Sequence, residues 1–277
     1  MENEVFMRFE NGLEKAVTFS YDDGVASDRR LKKLFDDNGI KCTFNLNSGV
    51  FGNNAHGRMN KEDAVNLYKG GEHEVASHGF KHLFLTKTDV PRGIDEVLSD
   101  KKELEKLFDT VVCGFAYPYG AFSEEIKNYL SLTGIRYART TVSTHRFDIP
   151  KDFLELNPTC HHGDAELFSL TDKFVNTYSH DSVKEREPYL FYVWGHSYEF
   201  DDNDNWEIIE KLVARVAKRK DVAYVTNAEV YRYVTAFNSL EFSISATRVY
   251  NPSAVDVWFE KDKKTYVARA GKLTVCD

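Results

Sequence analysis

Two short stretches hold side chains able to bind a cation and move a proton. They are Val17-Thr-Phe-Ser-Tyr-Asp22-Asp23-Gly24 and Ser77-His78-Gly-Phe-Lys-His82. Histidines four residues apart on a helical turn share a face, with Cβ atoms about 5–6 Å apart, within reach of one ion. Metalloproteases place a glutamate after the first histidine as base; here Gly79 stands there, so a base comes from elsewhere. Adjacent aspartates at the end of an apolar strand are costly to bury unless a cation lies near them. A regular strand sends them to opposite faces, but Gly24 lets the chain turn and bring both to one place. One can then ligate while the other acts as base. Two imidazoles and a carboxylate leave a fourth position for water, the form of a catalytic zinc site. The plainer reading of Asp-Asp-Gly is a turn, with Asp22 or Asp23 capping the next helix.

The elements that must position these residues alternate. Strand-like runs at 16–21, 41–46, 74–77, 111–116, 135–140, 190–194 and 222–225 are separated by helical patterns. Helices are expected at about 26–38, 61–69, 91–108, 123–133, 166–178, 204–219 and 228–237, with Gly39 and Gly134 as stops and Pro91 as a start. Residues 142–165 show no clear period. This β–α alternation predicts an α/β fold with a parallel sheet or barrel. Asp22/Asp23, His78, Tyr119 and His196 each follow a different apolar strand, and a closed (β/α) barrel brings such strand ends together at its catalytic face. From about Leu240 residues alternate in Phe242-Ser-Ile-Ser, Val255-Asp-Val-Trp-Phe, Thr265-Tyr-Val-Ala and Lys272-Leu-Thr-Val, which predicts a small antiparallel β appendage. The expected division is a barrel over 1–238 and a β-rich element over 239–277.

The chain of 277 residues is long enough for one barrel-sized domain, and its net charge of -8 argues against a polyanion such as nucleic acid as partner. The acidic N-terminus lacks the basic start and apolar core of a signal peptide, and no run approaches the about 20 apolar residues of a membrane span. Cys42, Cys113, Cys160 and Cys276 have no paired spacing and read as buried thiols. A cytoplasmic address is the expectation.

Thr18-Phe-Ser-Tyr-Asp-Asp-Gly24, Ser77-His-Gly-Phe-Lys-His82, Phe115-Ala-Tyr-Pro-Tyr-Gly120 and Trp194-Gly-His196 occur in this order. Together they resemble the successive motifs of the polysaccharide deacetylase family, the NodB-homology or carbohydrate esterase family 4 enzymes, over about residues 15 to 235. The resemblance implies a distorted (β/α)7 barrel of the NodB-homology type. It implies that Asp23, His78 and His82 bind a divalent metal ion, with Zn2+ expected, and that Asp22 is the general base. A bound dication lowers the pKa of water towards about 7, so a carboxylate suffices as that base. It further implies that the Tyr119 backbone N–H stabilises an oxyanion and that His196 protonates the leaving amine. Trp194 and Tyr198, with Leu190, are expected to wall the acetyl-methyl pocket.

Two departures accompany the resemblance. Where many members carry an arginine that hydrogen-bonds the catalytic aspartate, this chain has Ala116. Arg139 is the expected substitute, because its strand should neighbour that of Ala116 in a parallel βαβ unit. The aspartate that tunes the acid histidine is not evident, with Asp148 and Asp164 as candidates. Cys160-His161-His162 reads as loop residues lining the substrate cleft. The expected activity is metal-dependent removal of N-acetyl (or O-acetyl) groups from an acetylated saccharide or glycoconjugate. The alternatives are hydrolysis of a non-sugar amide such as a ureide or cyclic imide, or a degenerate barrel that binds carbohydrate without turnover.

Overall fold

The computed structural model describes residues 4–53, 57–177 and 186–276. After β1 (Val5–Arg8) the chain runs β2 (Lys15–Asp22), α1 (Asp28–Asn38), β3 (Thr43–Leu46), α2 (Lys61–Tyr68), β4 (Glu74–Ser77), α3 (Val90–Phe108), β5 (Gly114–Ala116), α4 (Glu124–Leu132), β6 (Tyr137–Arg139), β7 (Cys160–His161), α5 (Leu167–Asn176), β8 (Tyr189–Gly195), α6 (Tyr198–Asp202), α7 (Glu207–Val216), β9 (Val222–Tyr224) and α8 (Asn227–Asn238). The expected helix at 166–178 ends at Asn176; residue 178 lies outside the described residues.

Eight of these strands form one curled sheet in the order β6-β5-β4-β3-β2-β8-β7, with β9 also on β2, and every pair is parallel. β2 is the axis, and all eight of its residues are buried. One of its edges is taken over nearly its whole length by β8. The other is shared, with β9 against residues 15–17 and β3 against 20–22. Eight strands therefore fill seven lateral places, which is the seven-stranded distorted barrel with one place split. The chain at 156–161 closes the remaining gap, hydrogen-bonding β6 through Leu156 and β8 through Thr159 and Cys160.

Local chemistry sets where the helices start. Asn60, Asp89 and Ser123 accept from the first-turn N–H groups of α2, α3 and α4, and Thr226 with Glu229 forms a reciprocal cap on α8. The 142–165 region holds only a 3-10 turn, Phe153–Glu155, and the two-residue β7. Neither is long enough to leave a period in the sequence.

The C-terminal strands β10 (Glu241–Phe242), β11 (Arg248–Tyr250), β12 (Val257–Lys261), β13 (Lys264–Ala268) and β14 (Leu273–Val275) are antiparallel and make two small sheets. The alternation in Phe242-Ser-Ile-Ser is not a strand beyond Phe242. Ala246 N–H bonds back to Ser243 in a turn and Ile244 is fully exposed, while the next strand begins at Arg248. β1 pairs antiparallel with β12, so the first strand of the chain hydrogen-bonds across the 238/239 division to the C-terminal element. Arg8, buried on β1, is 2.7 Å from Glu260 on β12. Val249, Phe259, Ala268 and Cys276 form the buried centre there. Phe259→Ala should lower stability by about 3–5 kcal/mol in denaturant unfolding. A loss below about 1 kcal/mol would show that these sheets have no packed centre of their own.

Candidate active site

β2, β4, β5 and β8 end at the same rim of the barrel, and one cavity of about 360 Å³ opens there. It is lined by Asp22, Asp23, Arg58, His78, His82, Tyr119, Thr141, Trp194, His196 and Tyr198 among others. Of the ten residues expected at the site or its walls, eight line this cavity. Arg139 lies fully buried behind it, and Leu190, expected to help wall the acetyl-methyl pocket, lies instead in the core near the start of β8, opposite Ala16 of β2.

Asp22 is the last residue of β2, and Asp23 and Gly24 follow with φ of +83° and +66°. This left-handed turn brings the Asp23 carboxylate round to the side of Asp22, and neither aspartate caps α1. The histidine pair is not on a helix. His78 follows β4 directly, and the chain then turns at Gly79 (φ +80°) and His82 (φ +60°). The loop is held by tertiary contacts. Asn47 Nδ2 donates to the carbonyls of His78 and Gly79, and the Glu96 carboxylate accepts from the Lys81 and Leu83 N–H groups. Ser77, just before His78, donates to buried Asp100, which also accepts from Ser48.

Asp23, His78 and His82 present ligand atoms within 4.8 Å of one another. The two Nε2 atoms are 3.1 Å apart and Asp23 Oδ1 is 4.0 Å from that of His82. His78 Nδ1 donates to the Ala116 carbonyl at 2.8 Å, which leaves its Nε2 lone pair facing the cluster. Burial pushes His78 down, and burial together with His78 pushes His82 down to about 4. Both imidazoles are therefore neutral near pH 7, the state a cation needs. Arg58 adds a contact with no signal in the sequence. Its guanidinium is 2.7 Å from Asp23 Oδ1 and also donates to Asn47 Oδ1.

Asp22 is enclosed. Asn45 donates to Oδ1 at 2.8 Å and Arg139 pairs with Oδ2. Arg139 reaches it from β6, where it stands opposite Ala116 in the register, and its guanidinium lies 4.4 Å from the Trp194 ring centre. His78 and His196 approach Oδ2 to 3.7 and 3.9 Å. Burial pushes this carboxyl up, but Arg139, His78, His196 and Asn45 outweigh it and hold Asp22 below its ordinary range.

His196, at the end of β8, turns Nε2 towards Asp22 and Nδ1 towards Glu199 Oε1 at 3.2 Å. Neither Asp148 nor Asp164 reaches it; they pair with Arg146 and His145. Glu199 is three residues on, in the first turn of α6, so the i to i+3 spacing could have indicated it. Its other oxygen lies 3.1 Å from His161 Nε2 and 2.9 Å from His162 Nε2. His161, His196 and Glu199 could in principle ligate an ion. The hydrogen bonds favour a different arrangement. His161 Nδ1 accepts from the Gly163 N–H, so its Nε2 carries a proton and donates to Glu199. Ser197, beside His196, is anchored to buried Asp28, which Tyr68 also contacts.

The fourth wall is the turn Pro118–Gly120. Tyr119 is held at φ +58°, and a Cβ on Gly120 would sit 2.1 Å from Thr141 Oγ1, so only glycine fits there. Gly120 and Ala121 donate back to Tyr117 and Pro118, which leaves the Tyr119 N–H at the open start of the turn.

Burial disfavours the His196 imidazolium, but Glu199, then Asp22, outweigh it and raise its pKa. A carboxylate favours the charged ring, so Glu199→Gln should move the His196 titration to lower pH, read by ring NMR shifts. An unmoved midpoint would show that Glu199 does not govern that ring.

Residues 10–138 match the profile of the family described as Polysaccharide deacetylase. No curated protein matches the sequence. A proposed polysaccharide deacetylase from Mycobacterium smegmatis superposes with a TM-score of 0.58 at 17% identity, over 83% of this chain and 93% of that one. The Xyl-CE4 domain of a multidomain xylanase from the hindgut metagenome of Trinervitermes trinervoides gives 0.52 at 15%, over 80% and 92%. A Streptococcus pyogenes deacetylase, PplD, in complex with acetate gives 0.45 at 16% over 50% of this chain, which spans 61% of that protein's length. At these identities the structural likeness concerns the fold. Among the described residues, no helix is long and apolar enough to cross a membrane. Residues 10–138 belong to the polysaccharide deacetylase family, the NodB-homology or carbohydrate esterase family 4 group, and the barrel built on them has that family's fold.

Proposed function

We propose that this protein is a metal-dependent deacetylase that hydrolyses an acetamido (or acetoxy) group on a sugar-containing substrate. The observation that carries this reading is the meeting of two sets at one cavity. A neutral two-histidine, one-carboxylate donor set lies beside a carboxylate held ionised, with a histidine poised across from it. The donor set fits a divalent cation with N and O preference, and Zn2+ is the ion proposed. Asp23, His78 and His82 would hold it, and when bound it supplies a Lewis acid that acidifies water and polarises the acetyl carbonyl.

The chain's own groups do the rest. Asp22, ionised and fixed by Asn45 and Arg139, takes the proton from the attacking water. The Tyr119 N–H is the donor at the place where negative charge develops on the carbonyl oxygen. His196, whose charged form Glu199 favours, delivers a proton from Nε2 to the leaving nitrogen as the C–N bond breaks. Trp194 and Tyr198 close the cavity on the side of the acetyl methyl. Arg139 acts through Asp22 and does not itself line the cavity, so it is a positioning residue.

Metal content and acetate release from N-acetylated sugars test this together. Wild-type protein should carry about one divalent ion per chain, with occupancy lost in His78→Ala and His82→Ala. Asp22→Asn should keep the metal and lose at least about 10²-fold in turnover, because general base assistance is worth about 10²–10⁴-fold. Unchanged occupancy in both histidine variants would sink the metal assignment. Arg139→Ala should cost about 10² in kcat with metal content intact. A near-normal kcat would mean that another group orients Asp22.

A further inference from the structure

Arg58 lines the cavity, and the chemistry proposed above gives it no part. Its side chain is 9% exposed, so a full positive charge has been carried into the site. The backbone holds it there. Val25, just past the Asp23-Gly24 turn, bridges to Arg58, and the Met59 N–H donates to the Gly24 carbonyl at 3.1 Å. Asn60 then caps α2, so the arginine stands between two anchored points of the chain.

A guanidinium is a planar group with five N–H donors. Nη1 donates to Asn47 Oδ1 at 2.7 Å and, at 3.4 Å, to the Asp23 carbonyl, while one Nη2 hydrogen goes to Asp23 Oδ1 at 2.7 Å. Those bonds fix the plane, because Asn47 is itself tied to the carbonyls of His78 and Gly79. Nε and the second Nη2 hydrogen make no hydrogen bond to any described residue. Nε and Nη2 border one edge of the plane and can meet both oxygens of a carboxylate or phosphate at once. Orienting Asp23 needs only the other end.

The balance of charge points the same way. With His196 in its charged form, Arg58, Arg139 and His196 match Asp22, Asp23 and Glu199. A divalent cation then leaves the site with a surplus of two positive charges, which attracts an anion. We propose that Arg58 is a specificity residue selecting an acetylated sugar that carries an anionic substituent, a carboxylate or a phosphate, bound through Nε and Nη2. The inference rests on the deacetylase reading and names the substrate class within it. Arg58 bonds a candidate metal ligand directly, so the anion belongs to the acetylated sugar itself and not to a distant unit of a chain. Lysine would supply the charge without the fork.

The test compares acetate release by zinc-loaded wild type, Arg58→Ala and Arg58→Lys from N-acetylglucosamine, its 6-carboxylate, its 6-phosphate and its 1-phosphate. Each protein is read as the ratio of kcat/KM on an anionic sugar to that on the neutral one, so a change that acts through Asp23 cancels. Wild type should prefer at least one anionic sugar by about tenfold or more, mainly through KM, and the best substrate distinguishes carboxylate from phosphate. The ratio should fall to about one in Arg58→Ala and recover only partly in Arg58→Lys. Calorimetric binding of the same sugars to zinc-loaded Asp22→Asn, with and without Arg58→Ala, should show the same preference in Kd. Equal kcat/KM on neutral and anionic sugars overturns the proposal and leaves deacetylation standing. So does a preference that Arg58→Ala retains, since the metal then holds the anion. Failure of wild type to release acetate from any of the four would remove the deacetylase reading, and the substrate assignment with it.

Discussion

The site depends on one buried ion pair, Asp22 with Arg139. Asp22 is 1% exposed at the end of the central strand, and such a carboxylate left alone would take up a proton and could no longer act as a base. Arg139 is 0% exposed and equally costly to bury alone. Each makes the other tolerable, and each is tied to a separate strand. The pair therefore clamps the far edge of the sheet, β6, to its axis, β2, across the mouth of the barrel. The stacking of the guanidinium on Trp194 from β8 adds a third strand to the same clamp. Geometry at the reacting centre and closure of the barrel are in this sense one problem.

Around that pair the charges are arranged in opposition. On one side, burial keeps His78 and His82 neutral, so their ring nitrogens are available as ligands. On the other, Glu199 favours the charged form of His196, and Glu199 is itself held ionised by His161, His162 and His196 although burial opposes it. Burial pushes every imidazole towards neutrality; the Glu199 hydrogen bond reverses this at His196, whereas Asp22 and Asp23 do not outweigh it at His78. Asp22 lies between and is approached by His78 and His196 on the same oxygen. The proposed base, neutral donor set and acid can share one small cavity only with that separation.

The outer shell follows the same economy. Asp100 and Asp28 are buried carboxyls behind the site. Each gathers hydroxyl and N–H donors from segments that carry site residues. Asp100 steadies the residue before His78, and Asp28 the residue after His196. Loop backbone that would otherwise drift is thereby held to the helices behind it, which suits a site made of strand ends and short turns.

Much of the barrel was readable along the chain, because the alternation of apolar strands and capped helices is a local property. The period of each run and residues such as Pro91, Gly39 and Gly134 carry it. The same holds for the site candidates, since Asp22, Asp23, His78, His82 and His196 stand at or just beyond strand ends where the pattern breaks. Adjacent strands in a parallel unit also made Arg139 a candidate neighbour of Ala116. Tertiary structure alone decided the rest. The turn that brings His82 back over His78 depends on Asn47 and Glu96, which reach it from β3's far end and from α3. Arg58 arrives from a loop with no period, and β7 is too short to show one. Glu199, rather than Asp148 or Asp164, meets His196 because α6 turns it inward, although its i to i+3 spacing was in plain view. β1 joins the C-terminal sheet through a pairing some 250 residues apart. Spacing along a chain limits which groups can meet, but only packing decides between the partners that spacing allows.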